Sequence, residues 1–273
     1  MSFSPEEISE FASFADRLVK AARAETLPRF RTGLSVIDKK EEEAGAAFDP
    51  VTEADREGER VMRALIADAY PGHGVVGEEF GVSDGDEPWR WVLDPVDGTR
   101  AFVCGVATWT TLIALEHDGE GVLGVIDQPY TDDCWAAVNG ETVLRRGGET
   151  KICKSSGVTE LARARISTTD PRPDSYFGDG PARAFTALAA QTRLARFSMD
   201  AYAYGLLALG EIDIVAENGL QHHDYAALKP VVENAGGVIT NWRGEPLGSD
   251  DRGEALAAAT PELHAAALEV LNG

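Results

Sequence analysis

The chain has 273 residues, 44% of them hydrophobic, and a formal net charge of −21. That suffices for a large core in one domain or two close-packed halves. The charge argues against a polyanion partner such as DNA or RNA, whose phosphates need Lys and Arg to neutralise them, and no apolar run approaches the ~20 residues that span a bilayer.

Cys104, Cys134 and Cys153 form no CxxC pair and read as reduced thiols. The N-terminus is acidic and amphipathic, without the basic and apolar regions of a signal peptide, so a cytoplasmic location is expected. Ser4-Pro5-Glu6-Glu7 predicts a helix start, with Ser as N-cap, Pro at the first helical position and Glu three after the cap. Ile8, Phe11, Ala12, Ala15, Leu18, Val19 and Ala22 then mark one face. The charged stretch DKKEEEAGAAFDP reads as a surface loop. Thr52 caps a second helix, which turns Val61, Met62, Leu65, Ile66 and Ala69 inward and stops at Pro71-Gly72. Strands follow: GVVGEEF, WRWVLD, two around the Asp118-Gly119 turn, and a hairpin around Asn139-Gly140. They predict an antiparallel meander packed on the two helices.

After about residue 150 the pattern changes. RARISTT, TRLARF and IDIVAE read as short strands, with helices over about 181–191, 201–209 and 225–235. Asp200 is placed to cap the second helix and Gly210 to end it. Gly236-Gly237 ends the third, and Pro230 inside it predicts a kink. The architecture read from these elements is two α/β lobes, residues 1–150 and 151–273, forming one catalytic domain.

The chemistry begins at WVLDPVDGTRAF, residues 91–102, where a strand ends on Asp94 and Asp97. Asp-Pro and Asp-Gly are ordinary turn dipeptides, and alone they mean no more than a turn. Three other segments also set carboxylates at a strand end or helix start: GEEF with Glu78, HHDYAAL with Asp224, and DPVTEAD with Asp55. If Glu78, Asp94, Asp97 and Asp224 converge, each pair repels by roughly 1–4 kcal/mol, so the cluster requires cations or protons. All-oxygen ligands suit Mg²⁺ or Mn²⁺ rather than Zn²⁺. A helix starting after Gly98-Thr99 would point its N–H groups at an anion. Together these describe phosphoryl hydrolysis by a metal-activated water.

GEE, then DPVDGT, then an Asp before AA with AGG beyond it, in this order and spacing, resembles the inositol monophosphatase family of Mg²⁺-dependent, Li⁺-sensitive phosphatases. The resemblance runs from the N-terminal helix to AGGVIT. FRTGLSV, DPVTEADREGERVMRALI, DAYAYGLLALGEIDIVAENGL and GGVITNWRGEPL look most like its histidinol-phosphate phosphatase branch. The resemblance implies a layered αβαβα sandwich, usually a homodimer, with two or three Mg²⁺ ions. It implies that Glu78, Asp94 and the Val96 carbonyl bind the first metal and that Asp94, Asp97 and Asp224 bind the second. Glu78 would help hold a third through water. Thr99, hydrogen-bonded to Asp55, would act on the attacking water, and the Gly98 and Thr99 N–H groups would hold the phosphate. The chain departs from the pattern at His223, where Trp is common, at Leu228, usually Gly, at SMD before Ala201, and at Cys104.

Other candidates were weighed beside these. His222 and His223, in an extended loop, point to opposite sides, so at most one faces the site. A structural role outweighs ligation. Glu79 competes with Glu78, since alternation turns only one inward, and the family position favours Glu78. Lys39 or Lys40 is read as part of a solvated charge run, and Cys104 as a small buried side chain. Asp200 and Glu217 should lie on the rim beyond the metals, where they suit a cationic substrate group. Glu217 also matches a substrate-binding Glu of the inositol phosphatases, and with the resemblance around DAYAYGLLALG the expected substrate is histidinol phosphate. The alternatives are an inositol or nucleotide phosphate, or a metal-binding regulatory protein without turnover. The nucleotide needs a Lys/Arg cluster, which these motifs lack.

Overall fold

The computed structural model describes residues 3–33, 37–38, 50–248 and 252–273; Lys39 and Lys40 lie outside them. Helix α1 (Pro5–Thr26) starts as predicted: the Ser4 hydroxyl accepts the Glu7 N–H, and the Glu7 carboxylate accepts the Ser4 N–H. After a short ladder of β1 (Ile37–Asp38) and β2 (Pro50–Val51), Thr52 caps α2 (Glu53–Ala69). Met62 and Ile66 are buried as expected, whereas Ala69, in the last turn, is exposed.

The larger sheet comprises β3 (Gly74–Gly77), β4 (Gly81–Ser83), β5 (Trp89–Asp97), β6 (Thr110–His117), β7 (Glu120–Gln128), β8 (Asp133–Val138), β9 (Glu141–Arg146) and β10 (Glu149–Ile152), with the short helix α3 (Thr99–Val103) between β5 and β6. The order is β10-β9-β8-β7-β6-β5-β3-β4. Both predicted turns are present, with Asp118, Gly119, Asn139 and Gly140 all at positive φ. One pairing departs from the antiparallel expectation: β3 and β5 run parallel, Gly77 opposite Leu93. β4 folds back antiparallel on the outer edge of β3, so β5 enters on the other side in the same direction as β3. Both strands therefore release their C-terminal residues at the same edge. The register of β5 against β6 shifts between Asp94 and Asp97, at Pro95-Val96. Proline has no N–H for a ladder bond, and the Pro95 carbonyl instead accepts the Thr111 hydroxyl at 2.7 Å.

The second sheet carries β11 (Arg165–Thr168), β12 (Leu194–Phe197), β13 (Ile214–Glu217), β14 (Val238–Thr240) and β15 (Ala255–Ala258), in the order β12-β11-β13-β15-β14. The helices interspersed with these strands are α4 (Asp179–Ala189), α5 (Tyr202–Ala208), α6 (His222–Tyr225), α7 (Leu228–Asn234) and α8 (Pro261–Asn272). α1 and α2 pack on the outer face of the first sheet, and α4 and α8 on the outer face of the second. Between the sheets, Tyr204 and Leu207 of α5 and Val231 and Val232 of α7 share one core with Val92, Leu112, Ile126 and Trp135 on one side and Val215 and Ala257 on the other. The layers are thus αβαβα. No helix among the described residues is long and apolar enough to cross a membrane.

Two local expectations are corrected. The helix predicted over 225–235 is two pieces, α6 and α7, because Pro230 falls in the first turn of α7, where its missing N–H is not needed. Asp200 does not cap α5. It has a left-handed φ of 47°, and the backbone N–H of Ala201 donates instead to Asp97 at 2.8 Å.

Gly124 of β7 lies directly beneath α7: a Cβ there would collide with the Ala227 carbonyl and come within 2.6 Å of Pro230 Cγ. Gly124→Ala is expected to destabilise the protein by about 1–3 kcal/mol through overpacking. In urea unfolding the midpoint should fall with an unchanged m-value.

Candidate active site

The parallel pair sets the geometry. Glu78 follows β3 and Asp94 ends the regular part of β5, and the Glu78 N–H donates to the Leu93 carbonyl at 3.3 Å, one step beyond the ladder. The turn after β3 is pinned from α2. Glu59, fully buried, accepts the N–H of Glu79 at 2.7 Å and of Phe80 at 3.2 Å. A Cβ on Gly77 would strike this Glu59 carboxylate, so glycine is required there. Because residues 78–80 turn, strand alternation does not apply, and both Glu78 and Glu79 bring an oxygen within 4.8 Å of Asp55. The expectation that only one of the two turns inward is therefore wrong.

A second trio, Asp94, Asp97 and Asp224, likewise gathers within 4.8 Å. Asp224 is fixed in the first turn of α6, where its carboxylate accepts the Gln221 N–H at 2.6 Å. Burial first, and then the charges of Glu78, Asp97, Asp224 and Asp55, hold the Asp94 carboxyl well above the usual carboxylate range, so the two trios form one electrostatic unit. Burial and then Asp224 push Asp97 up to about 7, against the opposing Ala201 N–H and Thr110 hydroxyl. Burial raises Asp55 to about 6 despite hydrogen bonds from Thr52. The Thr99 hydroxyl lies 3.2 Å from Asp55 Oδ1 and 3.1 Å from the Val96 carbonyl oxygen. It has one proton to donate, so if the carbonyl is engaged by a cation the hydroxyl turns to Asp55. Crowded, buried, all-oxygen donors fit a hard divalent cation.

Asp200 borders this cluster, and its charge acts in turn on Glu217. A Cβ on Gly98, whose φ is 78°, would come within 2.7 Å of Asp200 Cγ, so backbone conformation and close approach both demand glycine. Burial and the charge of Asp97 push Asp200 up to about 8, opposed by the Thr108 hydroxyl and Arg100. Glu217, 3% exposed at the end of β13, is likewise raised by burial to about 8. Its carboxylate accepts the Thr168 hydroxyl and both the N–H and hydroxyl of Thr169. Each group would ionise more readily beside a cation.

His222 and His223 lie in the first turn of α6, not in an extended loop. They still diverge: His222 Nε2 is 2.7 Å from Glu116, and His223 Nε2 is 3.5 Å from Asp224. Cys104 is exposed at the end of α3, not buried. Leu228 is buried in the core between the sheets. Sequence reading missed Glu59 and Arg100, whose guanidinium sits 4.3 Å above the Tyr176 ring and donates to Ser175. Glu59 lies one helical turn after Asp55, a spacing that could have revealed it.

The raised carboxyls dictate a pH signature. A folded-state pKa above the unfolded value gives stability that is present at low pH and lost as pH rises through the folded value. Between about pH 4 and 7 the metal-free site therefore grows more repulsive. Mg²⁺ is expected to raise the melting temperature of chelator-treated protein more at pH 7.5 than at pH 5, as read by calorimetry at both pH values. An increment independent of pH would be incompatible with ions neutralising these groups.

The family model described as inositol monophosphatase matches residues 7–272. The bifunctional phosphatase IMPL2, chloroplastic, of Arabidopsis thaliana is 34% identical over 98% of this chain and 77% of its own. The histidinol-phosphatase of Mycobacterium tuberculosis is 35% identical over 93% of this chain and 96% of its own. A solved inositol monophosphatase from Zymomonas mobilis superposes with a TM-score of 0.83 at 36% identity, covering 100% of both chains. A match across nearly the whole length, joined to an acidic site of this geometry, places the chain in the inositol monophosphatase family, as a metal-dependent hydrolase of phosphate monoesters.

Proposed function

We propose that this phosphatase hydrolyses L-histidinol phosphate to L-histidinol and phosphate, with Mg²⁺ as its ion. The observation that carries the substrate is the pair Asp200, beside the metal cluster, and Glu217, two carboxyls both raised to about 8, chiefly by burial. Histidinol phosphate brings a primary ammonium and an imidazole; an inositol phosphate brings neutral hydroxyls. The 35% identity to a histidinol-phosphatase supports the same reading. A shared core between the two sheets supports treating residues 1–273 as one catalytic domain, with the acidic motifs mainly in 1–150 and the substrate side in 151–273.

The roles proposed are those that the family resemblance implies. Glu78, Asp94 and the Val96 carbonyl would hold one ion, and Asp94, Asp97 and Asp224 another, with Glu78 reaching a third through water. Bound there, Mg²⁺ would offset the phosphate charge and lower the pKa of a water. Thr99, hydrogen-bonded to Asp55, would orient the attacking water and accept its proton while passing its own to Asp55. The Gly98 and Thr99 N–H groups face the phosphate. Asp200 and Glu217 receive the ammonium.

Asp97→Asn keeps an oxygen for the Ala201 N–H, so the fold should persist. Turnover should fall by about 10²-fold or more, as expected when a charge that acts in the transition state is lost. EDTA should abolish activity and added Mg²⁺ restore it. Wild-type kcat in this variant would show that the ligand set is wrong.

Asp200→Asn should lower kcat/KM for histidinol phosphate roughly tenfold more than for 4-nitrophenyl phosphate, the loss of one charge-assisted hydrogen bond. Assaying wild type against histidinol phosphate, inositol 1-phosphate and nucleotides decides the substrate. A higher kcat/KM for inositol 1-phosphate would overturn the assignment.

A further inference from the structure

The start of α5 reaches into the acidic cluster. Ala201, the N-cap, donates its N–H to Asp97 Oδ2 at 2.8 Å, and the Thr110 hydroxyl lies 3.4 Å from the same oxygen. Both contacts fall on Oδ2, so they fix the rotation of the carboxylate and leave Oδ1 to meet a cation. Whatever holds the Ala201 N–H in place therefore acts on Asp97. α5 has seven residues and no side-chain hydrogen bond at its cap, so its packing has to set that position.

The next residue supplies the anchor. The Tyr202 hydroxyl donates to Asp133 Oδ2 at 2.8 Å, and the Tyr202 ring meets Trp135 edge-on, with centroids 5.2 Å apart. Asp133 is a fixed acceptor. It is fully buried at the start of β8, takes the Thr131 hydroxyl at 2.8 Å on the same oxygen and pairs with Arg146 through the other. About one helical turn further on, a Cβ on Gly205 would come within 2.6 Å of the Trp135 ring, so glycine lets the helix lie directly on β8. Hydrogen bonds to an ionised carboxylate are stronger than neutral ones, and this one holds the residue that follows Ala201.

We propose that Tyr202 is a positioning residue for the Mg²⁺ site: by tying the first turn of α5 to Asp133, its hydroxyl keeps the Ala201 N–H on Asp97 and so holds that carboxylate in the orientation that ligates the ion. Tyr202 touches neither ion nor substrate and acts through Ala201 and Asp97. Groups that orient a metal ligand typically carry about ten- to a hundredfold in metal affinity. The proposal rests on the reading of Asp97 as a metal ligand.

The test measures, by titration calorimetry, the Mg²⁺ dissociation constant of chelator-treated protein for Tyr202→Phe, Thr131→Val and Asp97→Asn, together with the melting temperature of each without Mg²⁺. Tyr202→Phe keeps the ring on Trp135 and should bind Mg²⁺ roughly tenfold more weakly, the lower end of that range. Its turnover at limiting Mg²⁺ should fall equally for histidinol phosphate and 4-nitrophenyl phosphate, and should recover as Mg²⁺ saturates. Thr131→Val removes the neighbouring donor from the same Asp133 oxygen without touching α5. It should lower the melting temperature and leave the dissociation constant unchanged. A Tyr202→Phe protein that melts lower yet binds Mg²⁺ as wild type does, or a loss of affinity shared by Thr131→Val, would make Tyr202 structural and overturn the proposal. If Asp97→Asn weakens Mg²⁺ binding but Tyr202→Phe does not, Tyr202 alone is misassigned. If Asp97→Asn binds Mg²⁺ as wild type does, the reading of Asp97 as a ligand fails first.

Discussion

Crowded negative charge at one sheet edge is the constraint on which the rest of the structure turns. Asp55, Glu78, Glu79, Asp94, Asp97 and Asp224 gather there, with Asp55 and Asp94 buried. Like charges in a poorly hydrated pocket repel strongly and cannot all ionise alone. A fold that served only stability would not place them so. The parallel pairing of β3 and β5 creates the crowding, since two parallel strands deliver their ends to the same edge. The buried carboxylate of Glu59 then fixes the turn that carries Glu78 and Glu79.

The same edge joins the two lobes. Asp97 belongs to the first sheet, yet it accepts the N–H of Ala201 where α5 begins. Gly98 presses on Asp200. α5 then runs between the sheets, with Tyr204 and Leu207 in the shared core. The proposed metal ligand Asp97 and the proposed amine-binding Asp200 are thus tied by direct contacts at the start of α5. Catalysis gains from such preorganisation, because charges already in place need no rearrangement as the reaction proceeds.

Substrate choice within this family has to come from the rim, because an ion cluster recognises any phosphate ester. The rim here holds Asp200, Glu217, Arg100 and Tyr176. The Arg100 guanidinium is engaged with the Tyr176 ring and Ser175, and in the proposed reading the carboxyls of Asp200 and Glu217 would distinguish a cationic leaving group from a neutral one.

The sequence by itself determined the capped starts of α1 and α2, both hairpins, and the carboxylates that form the cluster, because each depends on residues near one another in the chain. Ser4 with Glu7 and Thr52 with Asp55 are local hydrogen-bond pairs, and Asn139-Gly140 needs only its own dihedrals. Family resemblance added the grouping of Glu78, Asp94, Asp97 and Asp224, which no local rule supplies. Tertiary structure alone decided the rest. β15 reads Ala-Leu-Ala-Ala, a helix-forming composition, yet it is a strand because it fills the slot between β13 and β14. Asp200 precedes a helix as a cap should, but the chain there takes a left-handed φ, Ala201 becomes the N-cap with its N–H on Asp97, and Asp200 lies against Gly98. Glu79 joins Glu78 because Glu59, on another element, bends their strand end into a turn. In each case the deciding partner lies far along the chain, and only folding brings it into hydrogen-bonding or packing distance.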